Sequence, residues 1–124
     1  MAVVFSTKQF DTHLYVTVCG TIQNVDDVIS YWTPVRKQAV ESGLRKILVD
    51  YSEVELTLDY FGMIQVSNYA LEKRFPFHHL KIAFLVQPHL LKKLIEYKTP
   101  AKNRGFDFEP FTDLDTALDW LLKQ

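Results

Sequence analysis

The chain has 124 residues, 48% of them hydrophobic and 23% charged, with a formal net charge of −1. Those values fit one globular domain over residues 1–124 whose core needs no metal or disulfide, and they exclude an intrinsically disordered chain. So even a charge balance gives no general pull toward nucleic acid or anionic lipid, and no nucleic-acid partner is expected.

Cys19 is the only cysteine, so no internal disulfide can form and nothing requires an oxidising compartment. The first residues lack the basic segment and long apolar core of a signal peptide, and no apolar run is long enough to span a bilayer. A soluble cytoplasmic protein without a transmembrane segment is the expectation.

Residues 3–10 carry Val3, Val4, Phe5 and Phe10 and are predicted to form a first strand. Asp11-Thr12-His13 turns the chain into residues 14–22, where Leu14, Val16, Val18 and Ile22 share one face and Tyr15, Thr17, Cys19 and Thr21 the other. So short a link predicts an antiparallel hairpin. Asn24 suits an N-cap, and Asp26 and Asp27 follow in the first turn, where the helix dipole favours acids. Val25, Val28, Ile29, Trp32, Val35, Ala39 and Val40 recur at helical spacing, and Gly43 stands where the helix should stop. Pro34 interrupts that pattern and predicts either a kinked helix or two pieces, the second capped by Thr33.

Lys46 to Asp50 reads as an inner strand, because Ile47, Leu48 and Val49 leave neither face polar. An acidic loop follows, then a helix over about 58–74 capped by Thr57 or Asp59 and burying Phe61, Ile64, Ala70 and Leu71. Phe75 to His79 form a connecting loop, and Lys81 to Val86 a second interior strand parallel to the first. Pro88 opens a third helix with Leu90, Leu91, Leu94 and Ile95 on its buried side; Thr99-Pro100 shorten or bend it and Gly105 ends the segment. Phe106, Phe108 and Phe111 surround a short last strand, placed at an edge by Pro110, which cannot complete a ladder. Thr112 with Asp115 reads as a capping box, and Ala117, Leu118, Leu121 and Leu122 as the buried stripe of a closing helix.

The chain has no glycine-rich phosphate loop and no Gly-x-Ser-x-Gly elbow. His78, His79 and His89 have no cysteine or carboxylate at ligand spacing, so they read as loop histidines and no metal is expected. Cys19 lacks a visible base and reads as a small buried residue. Asp50, Glu53, Glu55 and Asp59 surround a strand-to-helix connection, a pattern that suits acid–base work, a divalent cation or simply a solvated turn. Lys92, Lys93, Lys98, Lys102 and Arg104 make the stretch 89–104 basic, opposite an acidic tail of Asp107, Glu109, Asp113, Asp115 and Asp119. A solvated face neutralised by its neighbour explains this more simply than phosphate binding. Trp32, Phe61 and Tyr69 fall on the first two helices, where an apolar pocket between helices and sheet would use them.

In element order, and in Leu48-Val49-Asp50-Tyr51 and Ala117-Leu118-Asp119-Trp120-Leu121, the chain resembles the STAS superfamily, most closely its SpoIIAA-like (STAS/SEC14-type) bacterial domains. The resemblance implies an α/β domain with a mixed sheet of about five strands. An antiparallel hairpin would come first, then parallel βαβ units, with about four helices mainly on one side. It also implies binding to protein partners, notably anti-sigma kinases, and in some members a response to nucleotides or lipids. One departure stands out. Anti-sigma-factor antagonists open the helix after the inner strand with an Asp-Ser-Ser-Gly-like motif holding a phosphorylatable residue, whereas here the stretch is Leu58-Asp59-Tyr60-Phe61-Gly62. No phosphorylation switch carries over, and Asp59 would instead hold a fixed negative charge where a phosphate would sit.

The resulting expectation is a non-enzymatic regulatory or protein-binding module of a bacterial cytoplasm, without cofactor. Its partner surface would comprise Asp50, Ser52, Glu53, Glu55, Thr57, Asp59, Tyr60 and Gly62. The alternative is a domain binding a small apolar molecule or lipid, in the manner of CRAL-TRIO proteins, with Trp32, Phe61 and Tyr69 lining the pocket and the basic third helix near a head group. An enzyme ranks third, because no nucleophile–base pair can be named. A homodimer is compatible with each.

Overall fold

The alternation of residues 14–22 becomes strand β2 (Leu14–Ile22), with Leu14, Val16, Val18 and Ile22 fully buried. The computed structural model describes residues 3–72, 80–103 and 107–123. In chain order it gives β1 (Val4–Gln9), β2, α1 (Val25–Ser42), β3 (Lys46–Leu56), α2 (Tyr60–Glu72), β4 (Lys81–Leu85), α3 (Pro88–Asn103), β5 (Phe108–Phe111) and α4 (Leu114–Leu122). The connecting loop Phe75 to His79, Arg104, Gly105, Phe106 and the side chains of Ala70 and Leu71 lie outside the described residues.

The strands form one five-stranded sheet in the order β1-β2-β3-β4-β5. The β1–β2 pair is antiparallel and the other three pairs are parallel, as the hairpin and the buried runs predict. Alternate residues of the central strands serve two separate cores. Ile47, Val49, Ile82 and Phe84 meet α1, α2 and α3 in the main core, while Leu48 and Ala83 meet Ala117 and Leu121 of α4 on the reverse face. Lysines at the starts of two strands hold α4 in place by its carbonyl end. Lys81 Nζ donates to the carbonyls of Trp120 (2.6 Å) and Lys123 (2.9 Å) and lies 4.4 Å from the centre of the Trp120 ring, and Lys46 Nζ donates to Leu122 O.

Local signals set the helix ends. Asn24 Oδ1 accepts from Asp27 N at the start of α1, and Gly43 ends that helix in the left-handed region at φ 74°. Pro34 does not split α1; its ring faces solvent, where water can take the carbonyl it leaves unmet. Pro100 likewise sits within α3. At α4 the cap is Asp113, whose carboxylate accepts from the N–H and hydroxyl of Thr116, rather than the expected Thr112. Those bonds hold the Asp113 carboxyl below the usual carboxylate range. Ile95 and Leu122 point outward instead of inward, because the inner stripe of α3 runs through Leu90, Leu94, Tyr97 and Ala101, and that of α4 through Ala117 and Leu121. Cys19 is half-buried, since its face of β2 is the one turned away from the main core.

The largest correction concerns β3. The expected inner strand of residues 46–50 followed by an acidic loop is one strand to Leu56, paired with β4 only as far as Asp50 and with β2 throughout. Thr17 pairs with Asp50 and Cys19 with Glu53, so β3 carries one extra residue at a bulge. That residue switches the inward set from Ile47, Val49 and Tyr51 to Val54 and Leu56, and Glu53 and Glu55 alternate outward.

No side chain crowds the Cβ direction of Gly43, so Gly43→Ala should lose stability through backbone strain alone. The expected loss is about 1–2 kcal/mol, read as a lower urea midpoint at unchanged m-value, with Gly43→Asn losing less.

Candidate functional site

The chain leaves β3 and enters α2 through Thr57-Leu58-Asp59, and each of these residues is tied down. Thr57 donates to Ile22 O through its N–H (2.9 Å) and its hydroxyl (3.3 Å), extending the hold of β2 past the end of the strand. Leu58 is buried, and its carbonyl accepts from the Tyr97 hydroxyl of α3 at 2.6 Å. Asp59 is the cap of α2, its Oδ1 accepting from Gly62 N at 2.7 Å. A Cβ at Gly62 would lie 2.5 Å from Leu58 Cδ1, so a side chain there would require the Leu58 side chain to shift.

This anchored turn presents two aromatic side chains to solvent, Tyr60 at 57% and Phe61 at 68% exposure. Tyr60 meets the edge of the Tyr97 ring, and a hollow opens beside it toward His89, Lys92 and Lys93 of α3. Lys93 also braces the turn by donating to Leu56 O at 3.1 Å. The arrangement is an open surface with aromatic and cationic groups on a rigid base. Among the described residues no three His, Cys, Asp or Glu side chains group so as to hold a metal ion.

Asp50 occupies a second place, at the β3 bulge. Its Oδ1 accepts from Ser52 N (2.9 Å) and Ser52 Oγ (2.5 Å), its Oδ2 from the Tyr15 hydroxyl (2.8 Å), and Gln87 Nε2 donates to Ser52 O. Partial burial, with the Asp50 hydrogen bond and charge added, pushes the Tyr15 phenol up to about 12.

Between α1, α2 and the sheet lies an apolar cavity of about 50 Å³, bordered by Trp32, Tyr69, Met63 and Leu94 among others. Tyr31 and Tyr51 share a buried hydroxyl–hydroxyl bond at its wall, and burial raises both phenols well above their ordinary value.

No family model matches the chain, and no curated protein matches it. Solved structures do. An anti-sigma factor antagonist from Mycobacterium paratuberculosis superposes with a TM-score of 0.64 at 17% identity, covering 98% of this chain and 96% of its own. An uncharacterized protein with a SpoIIAA-like fold from Shewanella loihica gives a TM-score of 0.57 at 21% identity, covering 97% and 93%. The fold is SpoIIAA-like.

In this SpoIIAA-like chain the eight residues expected to form one partner surface fall into two groups. Asp59, Tyr60 and Gly62, with Thr57 leading in, form the start of α2. Asp50, Ser52, Glu53 and Glu55 belong to β3, and Glu53 and Glu55 stand on the sheet face that also carries Cys19 and Thr21. Of the expected pocket residues, Trp32 and Tyr69 border the cavity and Phe61 does not. Phe61 lies two positions, about 200° around the helix, from inward-facing Met63. The cavity is also far below the about 300–1,000 Å³ usual for ligand pockets. Tyr97, which joins α3 to the α2 turn, went unremarked in the sequence, although its place in the stripe Leu90, Leu94, Tyr97, Ala101 marks it as inward.

Partial burial, and then the Asp59 and Glu96 charges, push the Tyr97 phenol up to about 12 as well. Since the folded values of Tyr15 and Tyr97 exceed the ordinary 10, their neutral forms stabilise the fold fully below that pH. Stability should fall as pH rises from about 10 to 12. Urea midpoints across that window should decline as tyrosinate absorbance rises, and less steeply in Tyr97→Phe.

Proposed function

We propose that the chain is a non-enzymatic regulatory module that binds a protein partner through the start of α2 and the adjoining turns of α3. The observation that carries this reading is the exposure of Tyr60 and Phe61 side by side on a backbone held by Asp59, Thr57 and Tyr97. Aromatic side chains dominate protein–protein hot spots, and a rigid base limits the entropy lost when they dock. The likeness to an anti-sigma factor antagonist, a protein named for acting against another protein, supports the same reading.

The first turn of α2 offers Tyr60, Phe61 and Gly62 and no serine, so the serine of the antagonist motif has no counterpart there. Asp59 supplies a permanent carboxylate there, and in this reading the partner senses that charge. An apolar ligand between α1 and α2 remains the second reading, supported by a lining that is almost wholly apolar. It requires the cavity of about 50 Å³ to widen.

Affinity capture with quantitative mass spectrometry should enrich a protein on the wild-type chain and lose it on the Tyr60→Ala, Phe61→Ala double variant. The urea midpoint should barely move, since exposed substitutions change stability by about 0.5 kcal/mol or less. A partner held equally by both chains would remove the surface from consideration. Asp59→Asn keeps a good cap and should weaken capture, whereas unchanged capture would show that the charge is not read.

A further inference from the structure

The sheet has two edges, and they differ in kind. At one edge β5 is four residues long and contains Pro110, which has no N–H to offer, while Glu109 is held by Lys98 of α3 in a 2.7 Å ion pair. At the other, β1 runs for six residues in unbroken register with β2, without proline or bulge. Five of its six residues are exposed, including Val4 at 62% and Phe5. The usual protections of an edge strand are a proline, a bulge, an inward charge or a covering element. Among the described residues the edge of β1 has only Lys8, whose Nζ leans over the Phe10 ring.

The unused backbone groups of this edge can be assigned. Phe10 N donates to His13 O at 2.9 Å, and this pair continues the β1–β2 register, so it is a hydrogen-bonded pair. Antiparallel ladders alternate bonded and non-bonded pairs. Lys8–Tyr15, Ser6–Thr17 and Val4–Cys19 are therefore bonded as well, and the N–H and C=O of Phe5, Thr7 and Gln9 turn outward.

We propose that β1 pairs antiparallel with β1 of a second copy of this chain, joining two sheets across a two-fold axis near Thr7. This register sets Thr7 against its own copy and Phe5 against Gln9 on either side, so each outward group meets a partner. Same-face pairing is preserved, because the paired residues share parity. Lys8 then lies opposite Ser6, so no lysine faces another. The self-match favours a second copy over a foreign strand, because the register leaves no like charges opposed. Pro110 and the occupied Glu109 make β5 a poor mate for β1, so the association closes at a dimer rather than growing head-to-tail. This inference is independent of the recognition surface on α2 and goes beyond it.

Sedimentation of the full chain from micromolar to millimolar concentration should show the mass rising toward that of a dimer. Amide exchange at high concentration should find Phe5, Thr7 and Gln9 protected along with Ser6 and Lys8, whereas dilution should release the first three only. Thr7→Pro removes an outward N–H without touching the β2 ladder; it should sediment as a monomer with Ser6 and Lys8 still protected. Thr7→Lys, which would set two lysines against each other at the two-fold axis, should also be monomeric. A wild-type monomer at every concentration would overturn the proposal, as would a dimer whose Phe5, Thr7 and Gln9 amides exchange freely.

Discussion

The bulge in β3 is the constraint on which the rest of the molecule depends. A regular strand would have sent Val54 and Leu56 to the reverse face, because side chains alternate with period two. One extra residue between Asp50 and Glu53 restores both to the main core and lets β3 outrun β4 while keeping its pairing with β2. The irregular backbone needs local acceptors, and the Asp50 carboxylate supplies them by taking the Ser52 N–H and hydroxyl on one oxygen and the Tyr15 hydroxyl on the other. Asp50 thus has a structural use that accounts for its place at the end of an apolar run.

From that extension follows the position of α2. Thr57 is bonded to the last residue of β2, Leu58 is gripped by Tyr97, and Asp59 starts the helix immediately. With so few free torsions, the first turn of α2 has one orientation, and it directs Met63 inward and Phe61 outward. The exposed aromatics are a consequence of a turn held at Thr57, Leu58, Asp59 and Gly62 by its hydrogen bonds. A surface of that kind can meet a partner without first becoming ordered.

The two faces of the sheet are covered unequally. Among the described residues, three helices fill the side that carries Ile47, Val49 and Phe84, and α4 alone serves the other, seated over Leu48 and Ala83. The reverse of β1 and β2 beyond Tyr15 is left with Thr17, Cys19 and Thr21, all only half-buried. Unequal cover also explains the contrast between the edges, since β5 is flanked by both α3 and α4, whereas among the described helices α1 is the main neighbour of β1.

The amino-acid sequence by itself determined what short-range physics decides. The alternation in residues 14–22, the Asn24 cap, the left-handed Gly43 and the apolar runs of β3 and β4 each express a local preference that survives in the structure. Together they suffice for the hairpin, the parallel strands and the element order of a SpoIIAA-like fold. Only the tertiary structure decided where β3 ends, because the pairing of Glu53 to Leu56 depends on a neighbour more than thirty residues away. It also chose Asp113 over Thr112 as a cap and turned Phe61 outward. Tyr97 and Leu58 came together for the same reason. Those outcomes turn on register and on the packing of one helix against another, and a run of residues read on its own contains neither.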